Sequence, residues 1–441
     1  MNRISVFAII FTLFIPLGSY AQYASSSKTP KKAGDLIEST SYNDHKRGAP
    51  RMLQYLPSGE EFVCVNGKNR YTRALYGGHT AWRLETGDRP IFATYVKNDC
   101  RNIRFRLHLP DGTVTPLEET DWCEARYNPG TRTYALKDKA WGENCSLKVS
   151  VLASLTEEMA VWELSGELPA GCELEVLNSP IRRKKLSRSG DMGADPPGCF
   201  EPAEDGTVLQ ILKCRFPADG HLYVGISGNE LKEMQDGGVQ YLALQKACRE
   251  LAGRIRITTP DPYFNTLGGA LAVAADGIWG EEGVWLHGAV GWRMPLSGWR
   301  AAYVGDVLGW HDRARIHFDN YAASQVTEVP NTIPHPAQDS ALALARSAKI
   351  WGTPQYSNGY ICRNPRRNNQ MHHYDMNLCY IDELLWHFNW TGDLEYARRM
   401  WPLLTLHLAW EKRNFDPDND GLYDAYACIW ASDALYYNSG A

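Results

Sequence analysis

The chain has no dominant charge. Its 441 residues carry 46 Lys+Arg against 51 Asp+Glu, a formal net charge of −5 at pH 7, so no basic surface points to nucleic acid as the main partner. Beyond the N-terminus no apolar run approaches the roughly 18 residues of a spanning helix. The eleven cysteines form no CxxC pair and keep no regular spacing. That excludes a zinc framework and the disulfide lattice of a small secreted domain, and leaves mostly free, buried thiols. There is no GxSxG elbow, Walker loop or HExxH pair, so serine-hydrolase, P-loop and zincin signatures are all missing. With 44% hydrophobic and 22% charged residues, the composition is that of a folded globular protein.

What is present begins with an export signal. Arg3 supplies a positive start, Ile4–Leu17 is apolar with few breaks, and Ser19-Tyr20-Ala21 offers small residues for cleavage before Gln22. Residues 1–21 therefore read as a cleavable signal peptide, residues 22–50 as a flexible leader, and the location as periplasmic or secreted. The aromatic content is high, with 15 Trp, 23 Tyr and 12 Phe. Eleven of the fifteen Trp lie beyond residue 260. A buried indole needs a partner for its N–H, whereas a flat sugar face stacks on it directly. This skew suggests carbohydrate as the partner.

The periodicity divides the chain in two. From about 60 to 259 short strand-like runs dominate: Phe62–Val65, Ile91–Val96, Asn102–Leu109, Leu147–Leu152, Ala160–Leu164, Leu174–Leu177, Val208–Leu212, Leu222–Ile226 and Arg254–Thr258. Turn chemistry such as Pro110-Asp111-Gly112 and Asn128-Pro129-Gly130 separates them, which predicts one antiparallel β-sandwich over 51–259 without long helices. At Asp261-Pro262 a helix cap and first turn appear, followed by apolar residues at helical spacing. Further helices are expected at about 299–323, 338–350, 375–391 and 394–414. Thr391-Gly392 should end one and Asp393 cap the next, with Pro402 kinking the last.

A sandwich followed by helical hairpins resembles the six-hairpin glycosidases, the (α/α)6-toroid glycoside hydrolases. The residues carrying the resemblance are Thr391-Gly392-Asp393-Leu394-Glu395-Tyr396, Trp401-Pro402-Leu403 and Asp416-Pro417-Asp418-Asn419-Asp420-Gly421-Leu422-Tyr423, with Gly298–Phe318 as an earlier hairpin. The resemblance covers about 260–441 and implies a multidomain β + α chain, a sandwich followed by an incomplete toroid. About five or six helices are counted where twelve would close the ring, so the chain is expected to stop within it. The activity implied is glycoside hydrolysis by carboxyl acid–base chemistry, with inversion expected, no redox cofactor, and the second carboxylate outside this chain. The alternatives are a non-catalytic carbohydrate-binding or pseudoenzyme fragment, and a polysaccharide lyase.

The resemblance places the acid carboxylate shortly after the DGL loop, at Asp433 beside Trp430, with Asp424 as second candidate. An aromatic setting would raise the pKa of such an acid. Asp416, Asp418, Asp420 and Asp424 also fit positions 1, 3, 5 and 9 of a calcium loop, but Ala427 stands where a bidentate Glu belongs at position 12. A weak Ca²⁺ site and a plain Asx-rich turn both remain open. The aperiodic segment Trp351–His373 is cationic; Arg363, Arg366, Arg367, His372 and Asp375 are its candidate glycan contacts, and three arginines in a cleft would favour an acidic sugar. Trp299 and Arg300 are candidate subsite residues. Asp306 reads equally as a subsite residue or a structural pair, and His311 and His317 as helix surface.

Overall fold

The computed structural model describes residues 55–71, 73–96, 99–183, 186, 197–217, 220–289, 293–298, 300–328, 357–367, 375–416, 418–422, 424–425 and 439–440. The segments expected to be a signal peptide and a leader, and the helix expected at 338–350, lie outside them.

Two antiparallel sheets enclose the first core. The larger runs Leu56–Ser58, Glu61–Val65, Trp122–Asn128, Thr131–Lys137, Ser146–Ala153, Met159–Glu167, His221–Ser227 and Glu230–Glu233 from edge to edge. The other runs Gln210–Arg215, Glu173–Pro180, Arg101–His108, Ile91–Tyr95, Arg83–Thr86 and Arg73–Tyr76, with Val114–Pro116 also paired to Arg101–His108. Alternation decides which face is buried: Ile103, Phe105 and Leu107 point inward while Arg104, Arg106 and His108 remain accessible. Across the sandwich, Phe92 meets Trp162 edge-on with ring centroids 5.4 Å apart and Phe105 at 5.6 Å. Such edge-to-face aromatic contacts contribute beyond area burial. The Asn128–Thr131 hairpin turns at Gly130, whose φ of +79° suits glycine.

Most of the expected strands are present, but two expectations in this half fail. Arg254–Thr258 forms no strand, and Gly237–Ala252 is a helix (α1). Helix α1 buries only Gly237, Tyr241, Cys248 and Leu251 and leaves Val239 and Leu242 exposed, so its apolar pattern is too blurred for periodicity to reveal.

The second half begins with Pro262–Gly277 (α2), capped as expected by the Asp261 carboxylate on the Tyr263 N–H. The expected 299–323 helix is broken into Tyr303–Val307 (α3) and His311–Ala322 (α4) at Gly309, which sits at φ +72°. Asp375–Thr391 (α5) and Leu394–Phe415 (α6) form the expected hairpin. Gly392 lies at φ +62°, Asp393 accepts from the Tyr396 N–H, and α6 continues through Pro402. A second core joins Trp279, Trp285, Trp310, Phe318, Tyr321, Tyr380, Leu384, Tyr396 and Leu403.

The toroid expectation is overturned. β-sheet dominates the chain, and the helices among the described residues do not form a ring of hairpins. The physical reason begins at α2. The side of α2 that packs on α1 and the sandwich is its small-residue side: Thr266, Gly268, Ala272, Asp276 and Gly277 are buried, a Cβ on Gly269 would meet Pro129 and Ala252, and one on Gly277 would meet Tyr76, while Phe264, Leu267 and Leu271 stay exposed. Among the described residues α2 therefore pairs backwards with α1 and not with a following helix. The short Trp279–Gly280 and Val284–Trp285 strand pair then intervenes before α3, which has five residues. Among the described residues α1 packs against α2 and α3 against α4, while α5 packs against α3 and α4 as well as α6.

Candidate functional site

The second core contains an unusual concentration of polar groups. On α5, Tyr380, Ile381, Glu383, Leu384 and His387 share the buried side, so the helix carries Glu383 inward among apolar neighbours. The Ala302 N–H donates to Glu383 Oε1 at 3.3 Å, and Oε2 has no hydrogen-bond partner. Burial, helped by the Asp382 carboxylate, pushes the Glu383 carboxyl well above the usual range, outweighing the Ala302 N–H and the charge of Arg300. A carboxyl shifted in this direction keeps its proton to higher pH than a solvated one, as a proton donor must.

One turn further on, His387 is fully buried and brings its Nδ1 to Asp306 of α3, 2.9 and 3.0 Å from the two oxygens. His311, at the start of α4, approaches Asp306 Oδ1 from the other side at 2.7 Å. Burial opposes ionisation of Asp306, but the hydrogen bonds from His387 and His311 prevail and hold its carboxyl below the usual range. The same core therefore holds one carboxyl kept neutral and one kept ionised, linked through α5.

Tyr321 of α4 faces the same region. Its buried hydroxyl has no hydrogen-bond partner, and the charges of Glu383, Glu282 and Arg363 all act on it; burial keeps it firmly protonated. Nearby His317 is buried. Its Nδ1 accepts from the Trp285 N–H, and burial lowers its pKa to about 3, so it is a neutral packing group with its proton on Nε2. The expectation that His317 lies on the helix surface is thus corrected: Ala314, His317, Phe318 and Tyr321 form one buried stripe.

The segment carrying Arg363 is pinned on both flanks. Asn377 Oδ1 accepts from the Ile361 N–H at 2.6 Å, Ser324 Oγ from the Cys362 N–H at 3.1 Å, and the Tyr360 carbonyl accepts from Val326 N–H at 2.8 Å. Gly359, at φ +104°, lets this segment approach α6 so closely that a Cβ would lie 2.5 Å from the Leu406 carbonyl oxygen. Arg363 is half-buried.

Of the residues singled out in the sequence, Arg300 lies within electrostatic reach of Glu383, and Arg363 within electrostatic reach of Tyr321. Arg366 is exposed and donates to Asn320 Oδ1 at 2.8 Å, and Arg367 is exposed. Trp299, His372, Trp430 and Asp433 lie outside the described residues, as do the side chains of Asp375 and Asp424. Carboxylate oxygens of Asp416, Asp418 and Asp420 lie within 4.8 Å of one another and can hold a metal ion. Two of them already cap turns, Asp416 accepting from the Gly421 N–H at 3.4 Å and Asp420 from the Leu422 N–H at 2.8 Å. The ten described cysteines are free. Sequence reading passed over Glu383, Tyr321 and His387. A carboxylate and an imidazole one turn apart within an apolar helix stripe was the available signal.

No helix among the described residues is long and apolar enough to cross a membrane. No curated protein matches the chain. Residues 100–208, within the sandwich, are similar to a family described as a domain of unknown function, DUF4450.

Proposed function

We propose that this protein is an exported hydrolase of glycans that works by carboxyl acid–base chemistry, with Glu383 as the proton donor. The observation that carries this reading is the divergence of two carboxyls in one core: Glu383 held neutral and Asp306 held ionised. Environments that push carboxyl pKa values apart are how acid and base roles are assigned within one site. Glycosidic cleavage requires such a neutral acid to protonate the leaving oxygen. Asp306, occupied by two imidazoles, serves as a positioning residue that fixes His387 one turn from Glu383. The Ala302 N–H donates to Glu383, and Arg300, two residues earlier, sits at φ +60°, a strained conformation for a residue with a Cβ.

The test is reducing-sugar release from a panel of oligosaccharides by the wild type and Glu383→Gln. Loss of at least a hundredfold in the variant is expected, within the usual range of about 10²–10⁴ for a general acid. Unchanged turnover would sink the assignment. A second reading, a carbohydrate-binding protein without catalysis, is favoured by Trp386, Trp390 and Trp401, which are 51%, 54% and 63% exposed. Glycan binding without product release would select it. An unsaturated, UV-absorbing product would select a lyase instead.

A further inference from the structure

Arg363 is a half-buried guanidinium with little to hold. Its Nη2 lies 2.8 Å from the Met294 thioether, a weak acceptor. Among the described residues no carboxylate pairs with it, and the groups whose charge acts on it are Tyr321 and Tyr360. Removing a cation from water without an anion is costly, so buried charges are normally paired. Glu383 is not among the groups whose charge acts on Arg363. The Tyr321 hydroxyl is a buried donor that also lacks a partner. Arg366 and Arg367 follow within four residues, and neither is paired with a carboxylate among the described residues.

We propose that Arg363 and Tyr321 receive the carboxylate of an acidic glycan, a hexuronic acid unit, so that the substrate class of this site is uronic-acid-containing oligosaccharides. The inference rests on the glycan reading above. The guanidinium supplies donors and no acceptor, and the phenol can add its O–H as a further donor, matching a carboxylate, which only accepts. A planar guanidinium can take both carboxylate oxygens at once. A neutral sugar at the same place would leave the cation unpaired.

The test is calorimetric titration of the mature protein with an oligogalacturonide and with a neutral galactan oligosaccharide of equal length, repeated on Arg363→Gln and Arg363→Lys. The oligogalacturonide is expected to bind at least on the order of tenfold tighter than its neutral counterpart, as for one charge-assisted hydrogen-bonded contact. Arg363→Gln should erase that preference. Arg363→Lys, which keeps the charge without the planar fork, should retain only part of it and controls for folding. Equal affinity for the two glycans, no oligogalacturonide binding, or a preference that survives in both variants would overturn the proposal. If neutral glycans are hydrolysed in a Glu383-dependent way while uronides fail to bind, the acidic substrate class falls and the hydrolase reading stands. If uronides bind through Arg363 and no glycan is cleaved, the reverse holds.

Discussion

Replacing Glu383 by Gln tests the protonation state of the site without any substrate. The side chains have the same shape, and Gln can still accept from the Ala302 N–H that Glu383 Oε1 now accepts at 3.3 Å. What changes is titration. In the unfolded chain a Glu ionises near 4.3, whereas in the folded chain burial holds this carboxyl protonated well above that value. Between the two pKa values the folded state binds more protons than the unfolded state. The stability this group contributes is therefore complete below about pH 4.3 and is lost as pH rises toward the folded pKa. Each pH unit in that interval costs the wild type up to about 1.4 kcal/mol, and Glu383→Gln escapes the loss. Urea unfolding of both proteins at half-unit steps upward from pH 4 should show the variant gaining on the wild type at up to that slope, then levelling off. A difference between the two proteins that is flat with pH would refute the claim that Glu383 is neutral in the fold, and the proton-donor assignment with it.

Two further substitutions probe the framework around the site. Asp306→Asn removes the negative charge held between His387 and His311 and puts an amide group where one carboxylate oxygen now meets His387. A loss of about 2–5 kcal/mol in urea unfolding at pH 7 is expected. The wild-type advantage should fade as pH drops below about 4, because the folded Asp306 pKa lies below its unfolded value. Gly359→Ala places a methyl 2.5 Å from the Leu406 carbonyl at a φ of +104°, and should lower stability by about 1–3 kcal/mol. A variant as stable as the wild type would show that the 357–362 segment does not press on α6 as described.

The sandwich was largely legible because alternation at positions such as Ile103, Phe105 and Leu107 reports directly which face is buried. The start of α2 at Asp261-Pro262 and the α5–α6 hairpin at Gly392-Asp393 were legible for a similar reason: caps and positive-φ glycines are local chemistry. The toroid was misread because periodicity marks α2 as a helix without telling which side packs: Phe264, Leu267 and Leu271, which carry the period, are exposed, and the small-residue side is the buried one. Here the partner is the sandwich and α1. The pairing of Asp306 with His387 spans 81 residues, and no local pattern announces it. Glu383 escaped notice because a carboxylate in a helix is read as solvated by default, although its neighbours Tyr380, Ile381, Leu384 and His387 mark that side as buried. His317 was misjudged in the same way.

Proton donation by Glu383 is tested most directly through leaving-group dependence. Turnover of glycosides with a poor alcohol leaving group should fall on the order of 10²–10⁴-fold in Glu383→Gln. Turnover of the matching dinitrophenyl glycosides, whose leaving group departs without a proton, should fall far less. An equal loss on both substrates, or no loss on either, would contradict the assignment of Glu383 as the acid.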